Sequence, residues 1–208
     1  MNDIYNNTKN TEDSTMKYMI ISDIHGSLGF TERAIEQFKR IQADYLLILG
    51  DILYHGPRNP LPGGHNPPGV AALLNAHAGQ IIAVRGNCDA EVDQMMLTFP
   101  CMSDYILLVD EGRRFLLTHG HLYDQHTLPF VLPEGSVLLS GHTHIWLLEH
   151  TRGITLCNPG SISLPKESPG GKVRGIPVTP TFAVYEKHTL SIYSFDAPEQ
   201  SLKTINLG

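Results

Sequence analysis

The sequence predicts an α/β fold in which two β-sheets pack face to face and helices cover the outer faces. The first half of the chain alternates short apolar runs with stretches of helical periodicity. After Pro100 the apolar runs become short and closely spaced, as in a strand-rich region. With 208 residues, 41% of them hydrophobic and 17% charged, the chain can bury one sizeable core. We therefore expect a single domain over residues 16–208, preceded by a flexible polar tail at residues 1–15.

Strands and helices alternate in the first half. Residues 18–21 form an apolar run of strand length, and apolar residues then recur at helical spacing from Phe30 to Ile41. The order of a strand followed by a helix repeats twice more along the chain. The predicted elements are strands at 45–49 and 81–84 and helices at 70–78 and 91–97. Because strands joined through helices usually pair in parallel, this half predicts a largely parallel sheet.

The second half is predicted to be strand-rich. Residues 105–109 and 115–117 are joined by Asp110-Glu-Gly-Arg113, which indicates a hairpin. Further strands are predicted at 137–139, 145–148, 154–156, 182–185 and 190–193. Two segments rich in proline and glycine, 56–68 and 165–180, are predicted to be irregular, because proline restricts φ and disfavours helix.

Charge and cysteine content exclude several classes of partner. The formal net charge of −6 and the pI of about 6.0 give no attraction to nucleic acid or to anionic lipid. An anionic substrate would therefore need local positive charge, which bound cations can supply. The three cysteines lack CxxC spacing, the apolar runs are too short for a bilayer, and residues 1–15 do not resemble a secretory signal. We expect a cytoplasmic protein.

Five clusters of residues that commonly bind metals each follow an apolar run directly. They are Asp23-Ile-His25, Gly50-Asp51, Gly86-Asn87, His119-Gly-His121 and Gly141-His142-Thr-His144. Loops at the carboxyl ends of neighbouring strands face one crevice in an α/β protein, so these clusters can meet. The pattern predicts a metal-dependent hydrolase.

Each cluster taken alone also has a purely structural interpretation. Asp and His in a turn after a strand are often simply hydrogen-bonded, and Asn87 after a glycine is typical of a turn. The two-residue spacing of Asp23 and His25 recurs at His142 and His144, however, which makes chance placement implausible. Asp51 is suited to bridge two ions, because a carboxylate has two oxygens and paired ions lie roughly 3.5–4 Å apart.

In order and spacing, D-x-H, GD, GN, HGH and GHTH resemble the signature of the calcineurin-like metallophosphoesterases. The phrases GDILYHGPRNPLP, VRGNCDAEVDQM, LTHGHLY and NPGSISLPK most closely resemble the small bacterial phosphodiesterases of the YfcE/MJ0936 type. The resemblance extends from Lys17 almost to the end of the chain. It implies a four-layer α/β-β/α sandwich, in which two mixed sheets are flanked by helices and a dinuclear metal site lies at the strand ends.

The resemblance also implies a reaction and its ligands. One ion would be held by Asp23, His25, Asp51 and His144, and the second by Asp51, Asn87, His119 and His142. A hydroxide bridging the ions would attack a phosphodiester in line, which makes Asp51 and Asn87 part of the catalytic set. Manganese is the expected ion, with iron, nickel and zinc as alternatives. The implied substrate is a small phosphodiester, and a homo-oligomer, either a dimer or a tetramer, is expected.

Cys88 departs from the wider family, in which many members carry a histidine after Gly-Asn that assists the leaving group. A thiol with a pKa near ~8.5 is a poor cation at neutral pH, so the acid is unassigned. His121 and His55 are candidates, although such residues more often support metal ligands. Arg58 is a candidate phosphate clamp, with a solvated arginine as the alternative. Asp89 can either orient a ligand or cap the helix that follows, and capping is the expected role.

Two other functions compete with the diesterase. A non-catalytic scaffold, as in the retromer subunit of this superfamily, would have lost a ligating histidine, whereas this chain retains all four. A hydrolase with Cys88 as nucleophile would leave the histidines and aspartates at the strand ends unexplained. The metal-dependent phosphodiesterase is therefore the favoured prediction.

Overall fold

Two mixed β-sheets form the frame of the chain in the computed structural model, which describes residues 16–167 and 178–208. The predicted tail at 1–15 and most of the predicted loop at 165–180 lie outside these residues. The strands of the first sheet are β1 (Tyr18–Ile21), β2 (Tyr45–Ile48), β3 (Ile81–Ala83), β9 (Thr181–Glu186), β10 (Thr189–Ser194) and β11 (Ala197–Asn206). Those of the second are β4 (Tyr105–Asp110), β5 (Arg113–Thr118), β6 (Val137–Leu139), β7 (Leu147–Thr151) and β8 (Ile154–Asn158).

The first sheet is parallel at one edge and antiparallel at the other, whereas the second has a parallel centre and antiparallel margins. The first has the order β11-β10-β9-β1-β2-β3, in which β1, β2 and β3 run parallel and β9 is antiparallel to β1. The second has the order β4-β5-β6-β8-β7, in which β5, β6 and β8 run parallel. The parallel pairing predicted for the first half and the hairpin of β4 with β5 are confirmed.

The helices are α1 (Leu28–Arg40), α2 (Pro67–Asn75) and α3 (Glu91–Met96), with a 3-10 turn at Ala78–Gln80. Helix α2 begins three residues before the predicted start. The Asn66 side chain accepts a hydrogen bond from the Gly69 amide, and prolines occupy the first two helical positions, where no amide hydrogen is needed. Across the described parts of the chain, no helix combines the length and apolar character that a membrane crossing requires.

Side chains from both sheets form the central core. Tyr18 of β1 stacks on Tyr185 of β9 with ring centroids 5.9 Å apart, and Phe115 of β5 meets Tyr185 edge-on at 4.8 Å. On the outer face of the first sheet, α1 buries one stripe of residues at helical spacing. These residues are Thr31, Ala34, Ile35 and Phe38. The layers hold the strand ends rigidly in place.

The outer face of the second sheet differs from the helical layer that was expected. Leu116, Leu138 and Leu156 of this face are buried with Leu132, and Leu128 packs against them. Leu128 and Leu132 belong to the segment 119–136, which contains no helix. A loop with apolar anchors therefore covers this face.

Two strands, β7 and β11, depart most from the prediction. The run predicted at 145–148 becomes β7, which begins at Leu147 because residues 145 and 146 still belong to the turn after the histidine cluster. Strand β11 was not predicted at all. Its ten residues are mostly exposed and polar, and its pairing with β10 is what defines it as a strand.

Candidate metal centre

The five predicted clusters meet beyond the carboxyl ends of β1, β2, β3, β5 and β6, at one end of the two stacked sheets. Nε2 of His144 lies 3.3 Å from Oδ1 of Asp23, and Nε2 of His119 lies 3.5 Å from Oδ2 of Asp51. Nε2 of His25 is 3.7 Å from both of these carboxylates. Residues separated by more than 100 positions therefore share one buried site.

The backbone is left-handed at five of the seven predicted ligands. Such a conformation is uncommon for residues other than glycine and costs about 1–3 kcal/mol each, so it persists where the surrounding structure enforces it. The φ values are 56° at Asp23, 52° at His25, 55° at Asp51, 69° at His142 and 62° at His144. The segments that follow β1, β2 and β6 thus turn sharply at residues that face the site.

Three histidines are oriented by backbone carbonyls. In each ring Nδ1 lies within hydrogen-bond distance of a carbonyl oxygen, which can only accept, so Nδ1 carries the hydrogen and Nε2 offers a lone pair. The pairs are His25 with Tyr54 at 2.9 Å, His119 with Leu49 at 2.6 Å and His144 with Leu164 at 2.7 Å. All three Nε2 atoms are thereby prepared as ligands.

A divalent cation fits the first group of ligand atoms. Nε2 of His25 and Nε2 of His144 lie 3.2 Å apart, and neither is left with a hydrogen to donate to the other. Oδ1 of Asp23 is buried beside them and has no hydrogen-bond partner among the described residues. The three ligand atoms lie within 4.8 Å of one another. Two facing lone pairs and an orphaned carboxylate oxygen are satisfied together by one cation.

A second group surrounds His119. Its Nε2 lies 3.1 Å from Oδ1 of Asn87, and a triad of ligand atoms from Asp23, Asp51 and His119 also lies within 4.8 Å. Burial disfavours charge on His119, but Asp51 and Asp23 outweigh it and raise the pKa of the ring to about 9. These carboxylates favour positive charge at Nε2, which a proton or a divalent cation can supply.

Asp51 lies between the two groups. Its Oδ2 is 3.7 Å from Nε2 of His25 and 3.5 Å from Nε2 of His119, whereas Oδ1 accepts the Cys88 amide at 2.8 Å. Burial opposes its charge, but the hydrogen bond and positive charge of His119 hold the pKa of this carboxyl well below its usual range. An ionised carboxylate in this position has the geometry of a bridging ligand.

His142 flanks the second group, with its ring centroid 5.1 Å from that of His119 and its amide donating to Oδ2 of Asp23 at 3.1 Å. Burial, and to a lesser degree His119, lower the pKa of His142. A neutral imidazole is the form that binds metals.

Asp89 does not cap the following helix, contrary to expectation. Its carboxylate is buried and accepts the backbone amides of Asp51 at 2.8 Å, Ile52 at 2.8 Å and Gly86 at 2.7 Å. Helix α3 is capped instead by Asp93, which accepts the Ala90 amide at 2.6 Å. An acidic residue three positions into the helix was the signal that sequence reasoning missed. Burial raises the pKa of Asp89 to about 6.

A further support that sequence reasoning missed comes from the loop after β8. The hydroxyls of Ser161 and Ser163 donate to the carbonyl of Asp23 at 2.7 and 3.0 Å. The side-chain amide of Asn158 donates to the carbonyl of Gly141 at 2.7 Å. The Asn-Pro-Gly-Ser phrase therefore fixes the turns that carry Asp23 and His142.

His121 and Cys88 border the site. The His121 ring lies 5.3 Å from that of His119, and its Nδ1 is buried without a hydrogen-bond partner in the described ranges. Burial, His119 and His142 lower its pKa to about 4, so the ring is neutral at pH 7. Burial and Asp51 raise the pKa of the Cys88 thiol, which accepts the Asn87 side-chain amide at 3.1 Å. A protonated thiol is a weak nucleophile, which disfavours the cysteine hydrolase.

His55 and Arg58 lie on the loop between β2 and α2. The His55 ring stands perpendicular to that of His65 at 5.5 Å, and its Nδ1 is buried without a partner among residues 16–167 and 178–208. Arg58 is an exposed residue of this loop. Burial and His119 are the main causes that lower the pKa of His142, and the positive charge of Arg58 lowers it further. The electrostatic effect on His142 places Arg58 near the site, whereas the ring contacts of His55 are with Tyr54 and His65.

Comparison with known proteins identifies relatives along most of the chain. A model of the calcineurin-like phosphoesterase superfamily domain matches residues 16–176. Phosphodiesterase YfcE of Escherichia coli (strain K12) is 52% identical over 151 residues, which cover 73% of this chain and 82% of YfcE. Phosphodiesterase MJ0936 of Methanocaldococcus jannaschii is 27% identical over 153 residues, which cover 70% of this chain and 83% of the relative.

Solved structures agree with these matches. The structure of E. coli YfcE, described as a phosphoesterase, superposes with a TM-score of 0.84 at 42% identity and covers 93% of this chain and 100% of that one. Wild-type Vps29 of Entamoeba histolytica, solved with zinc, superposes with a TM-score of 0.56 at 17% identity. The superposition covers 93% of this chain and 100% of Vps29, and at this identity it shows a shared fold alone. The family model and the similarity to YfcE together establish that the chain belongs to the calcineurin-like phosphoesterase superfamily.

Proposed function

We propose that this protein is a phosphodiesterase that uses two divalent metal ions to hydrolyse small phosphodiesters by in-line displacement. The observation that carries the proposal is the position of Asp51, whose Oδ2 faces His25 on one side and His119 on the other. An ionised carboxylate that lies between histidine Nε2 atoms with free lone pairs can bind one metal ion on each side. The similarity to YfcE, named a phosphodiesterase, supports the same reaction.

The proposed first ion is held by Asp23, His25, Asp51 and His144, and the second by Asp51, Asn87, His119 and His142. Such a pair, when bound, lowers the pKa of a water shared between the ions and neutralises charge that develops on the phosphoryl oxygens. The protein's part is to hold the ligands in place and to exclude competing donors, through the carbonyl contacts of the three histidine rings. We propose manganese as the ion, because oxygen ligands from carboxylate and amide groups complement the imidazoles; iron, nickel and zinc are the alternatives.

The substrate side of the proposed site is formed by Arg58, His55, Cys88 and His121. Arg58 supplies positive charge near His142, in a chain whose net charge is −6. His121 is neutral and has one ring hydrogen, which it can donate to a phosphoryl or leaving-group oxygen. Without a cationic acid beside the leaving group, diesters with good leaving groups are the favoured substrates.

The alternative is a non-catalytic scaffold of the same fold, a class suggested by the likeness to Vps29. A scaffold needs no lone pairs directed at a common point. The strained backbone at five ligand positions and the carbonyl contacts of His25, His119 and His144 favour the enzyme. We further propose a cytoplasmic homo-oligomer, either a dimer or a tetramer.

The test is a metal-reconstitution experiment. The protein is stripped with chelator and reloaded separately with manganese, iron, nickel and zinc. Bound metal is measured by elemental analysis, and hydrolysis is measured on bis(p-nitrophenyl) phosphate and on p-nitrophenyl phosphate. Two equivalents of metal and a faster diesterase reaction are expected. Full activity of the stripped protein, or binding of a single ion by fully active protein, would contradict the proposal.

A further inference from the structure

Asp89 connects the two loops that carry the shared ligand and the amide ligand of the proposed metal pair. Oδ2 accepts amides from both loops, that of Asp51 after β2 at 2.8 Å and that of Gly86 after β3 at 2.7 Å. Oδ1 accepts the amide of Ile52 at 2.8 Å. One carboxylate, 7% exposed, thus fixes three backbone amides on two different strand ends.

These contacts act where the two loops touch most closely. Asp51 has φ of 55°, and its Oδ1 accepts the Cys88 amide at 2.8 Å. A Cβ added to Gly86 would overlap the Asp51 carboxylate, so the loops approach to backbone contact. The side chains of Asp51 and Asn87 are therefore positioned by the contact between these two loops. Asp89 holds that contact together through its hydrogen bonds to both loops.

A carboxylate is required at this position on hydrogen-bonding grounds. It accepts at both oxygens and has no hydrogen to donate, which matches three converging amide donors. Asparagine has one acceptor oxygen, and its NH₂ group would face one or two of the amides as donor against donor. A buried amide left without an acceptor is unfavourable, and the two loops would shift apart to relieve it.

The remaining ligands have supports of their own, although the amide of His25 also donates to the carbonyl of Asp51 at 2.9 Å. The carbonyl of Asp23 accepts the Ser161 and Ser163 hydroxyls, and the His144 ring is set by the carbonyl of Leu164. Among residues 16–167 and 178–208, Asp89 accepts the amides of Asp51, Ile52 and Gly86 and has no hydrogen bond to these elements. Loss of its carboxylate should therefore act on Asp51 and Asn87 far more than on Asp23 and His144.

We propose that Asp89 is a positioning residue that holds Asp51 and Asn87 in register and thereby sets the affinity of the second metal ion. The inference rests on the proposed function, because it assigns the second ion to Asp51, Asn87, His119 and His142. Asp89 touches neither ion nor substrate in this scheme and acts through the two loops.

The test compares Asp89→Asn with Asp93→Asn. Asp93 is a matched control, since it is a buried carboxylate in the same segment that accepts the Ala90 amide and makes no hydrogen bond to either metal loop. Manganese is titrated into each stripped protein, and bound ions are followed by calorimetry and by electron paramagnetic resonance, in which two neighbouring ions give a spin-coupled signal. Circular dichroism establishes that each variant is folded.

Wild type and Asp93→Asn are expected to bind two ions and to give the coupled signal at the same manganese concentration. Asp89→Asn is expected to keep the first ion and to weaken the second by about 10–100-fold, the range typical of residues that support metal ligands. The coupled signal should return at correspondingly higher manganese. Asp89→Glu, which keeps both acceptor oxygens, should retain more of the second-site affinity than Asp89→Asn.

If Asp89→Asn does not fold, the comparison of Asp89→Glu with wild type decides the matter, since one added methylene displaces the acceptors and should weaken the second ion selectively. Unchanged affinities in a folded Asp89 variant, or equal weakening of both ions, would overturn this inference alone. A wild-type protein that binds a single ion would overturn the proposed function as well.

Discussion

Nε2 of His25 and Nε2 of His144 face each other at 3.2 Å, although the two residues are 119 positions apart and follow strands of different sheets. A carbonyl oxygen keeps the hydrogen of each ring on the opposite nitrogen, so two lone pairs meet beside the Asp23 carboxylate. Their mutual repulsion is relieved when a cation lies between them. Metal binding should therefore stabilise the fold as well as prepare the reaction.

Removal of metal is expected to lower the melting temperature. A ligand that binds the folded state alone stabilises it by about 2.7 kcal/mol when its free concentration is 100 times Kd. Differential scanning calorimetry of metal-loaded and chelator-treated protein measures the difference, and added manganese should restore it. Identical melting temperatures under the two conditions would contradict metal binding to the folded state.

Asp51→Ala should abolish paired metal binding and reduce diester hydrolysis by more than about 100-fold, the upper range for residues that merely support ligands. The reason is that Oδ2 of Asp51 lies 3.7 Å from Nε2 of His25 and 3.5 Å from Nε2 of His119, so its loss removes a ligand atom from both groups. Steady-state kinetics with bis(p-nitrophenyl) phosphate provides the measurement. Glu36→Ala, which removes an exposed carboxylate from α1, is the control and should leave the rate unchanged.

Substitutions of Cys88 separate two roles. Cys88→Ser should retain most of the diesterase activity, because the thiol is protonated and serves as no nucleophile. Cys88→His should raise hydrolysis of p-nitrophenyl phosphate relative to the diester, by up to about 100-fold, since it supplies a proton donor next to the leaving group. Inactivity of a folded Cys88→Ser protein would revive the cysteine hydrolase, and unchanged rates in Cys88→His would show that Cys88 imposes no limit.

Gly86→Ala should weaken metal binding and destabilise the fold, by about 1–3 kcal/mol for the overpacking alone. The added methyl group would overlap Oδ1 and the backbone nitrogen of Asp51, neither of which can move without disturbing the site. Calorimetric manganese titration and chemical denaturation measure the two effects. Gly79→Ala is the matched control, since a Cβ there meets no atom within 4 Å. Equal metal affinities in the two variants would contradict the close approach.

Phe115→Ala should lower the free energy of unfolding by about 3–5 kcal/mol, because the ring packs between the sheets against Tyr18 and Tyr185. Below the reduced melting temperature, diester hydrolysis should remain near the wild-type rate, since the ring contacts no predicted ligand. Urea denaturation gives the stability. Leu107→Ala, at a position 42% exposed on β4, should cost less than about 0.5 kcal/mol, and a similar loss in both variants would be unexpected.

The sequence predicts the strands whose apolar residues fill the core. It does not predict the strand whose residues are mostly exposed. Strands β1, β2 and β6 are continuous apolar segments and were predicted at or within one residue of their bounds. Strand β11 is mostly polar and exposed, so no periodic pattern marked it. Its existence depends on pairing with β10, which a linear pattern does not record.

The sequence by itself determined which residues can bind metal and that each cluster follows a strand, because residue type and apolar run are properties of adjacent positions. Tertiary structure alone decided which nitrogen of each histidine faces inward, that Asp51 lies between two groups, and that Asp89 joins the loops rather than capping α3. These features arise from hydrogen bonds between strand ends of both sheets. Contacts of that kind depend on how the two sheets stack and on the order of their strands. The spacing of residues along the chain predicts neither.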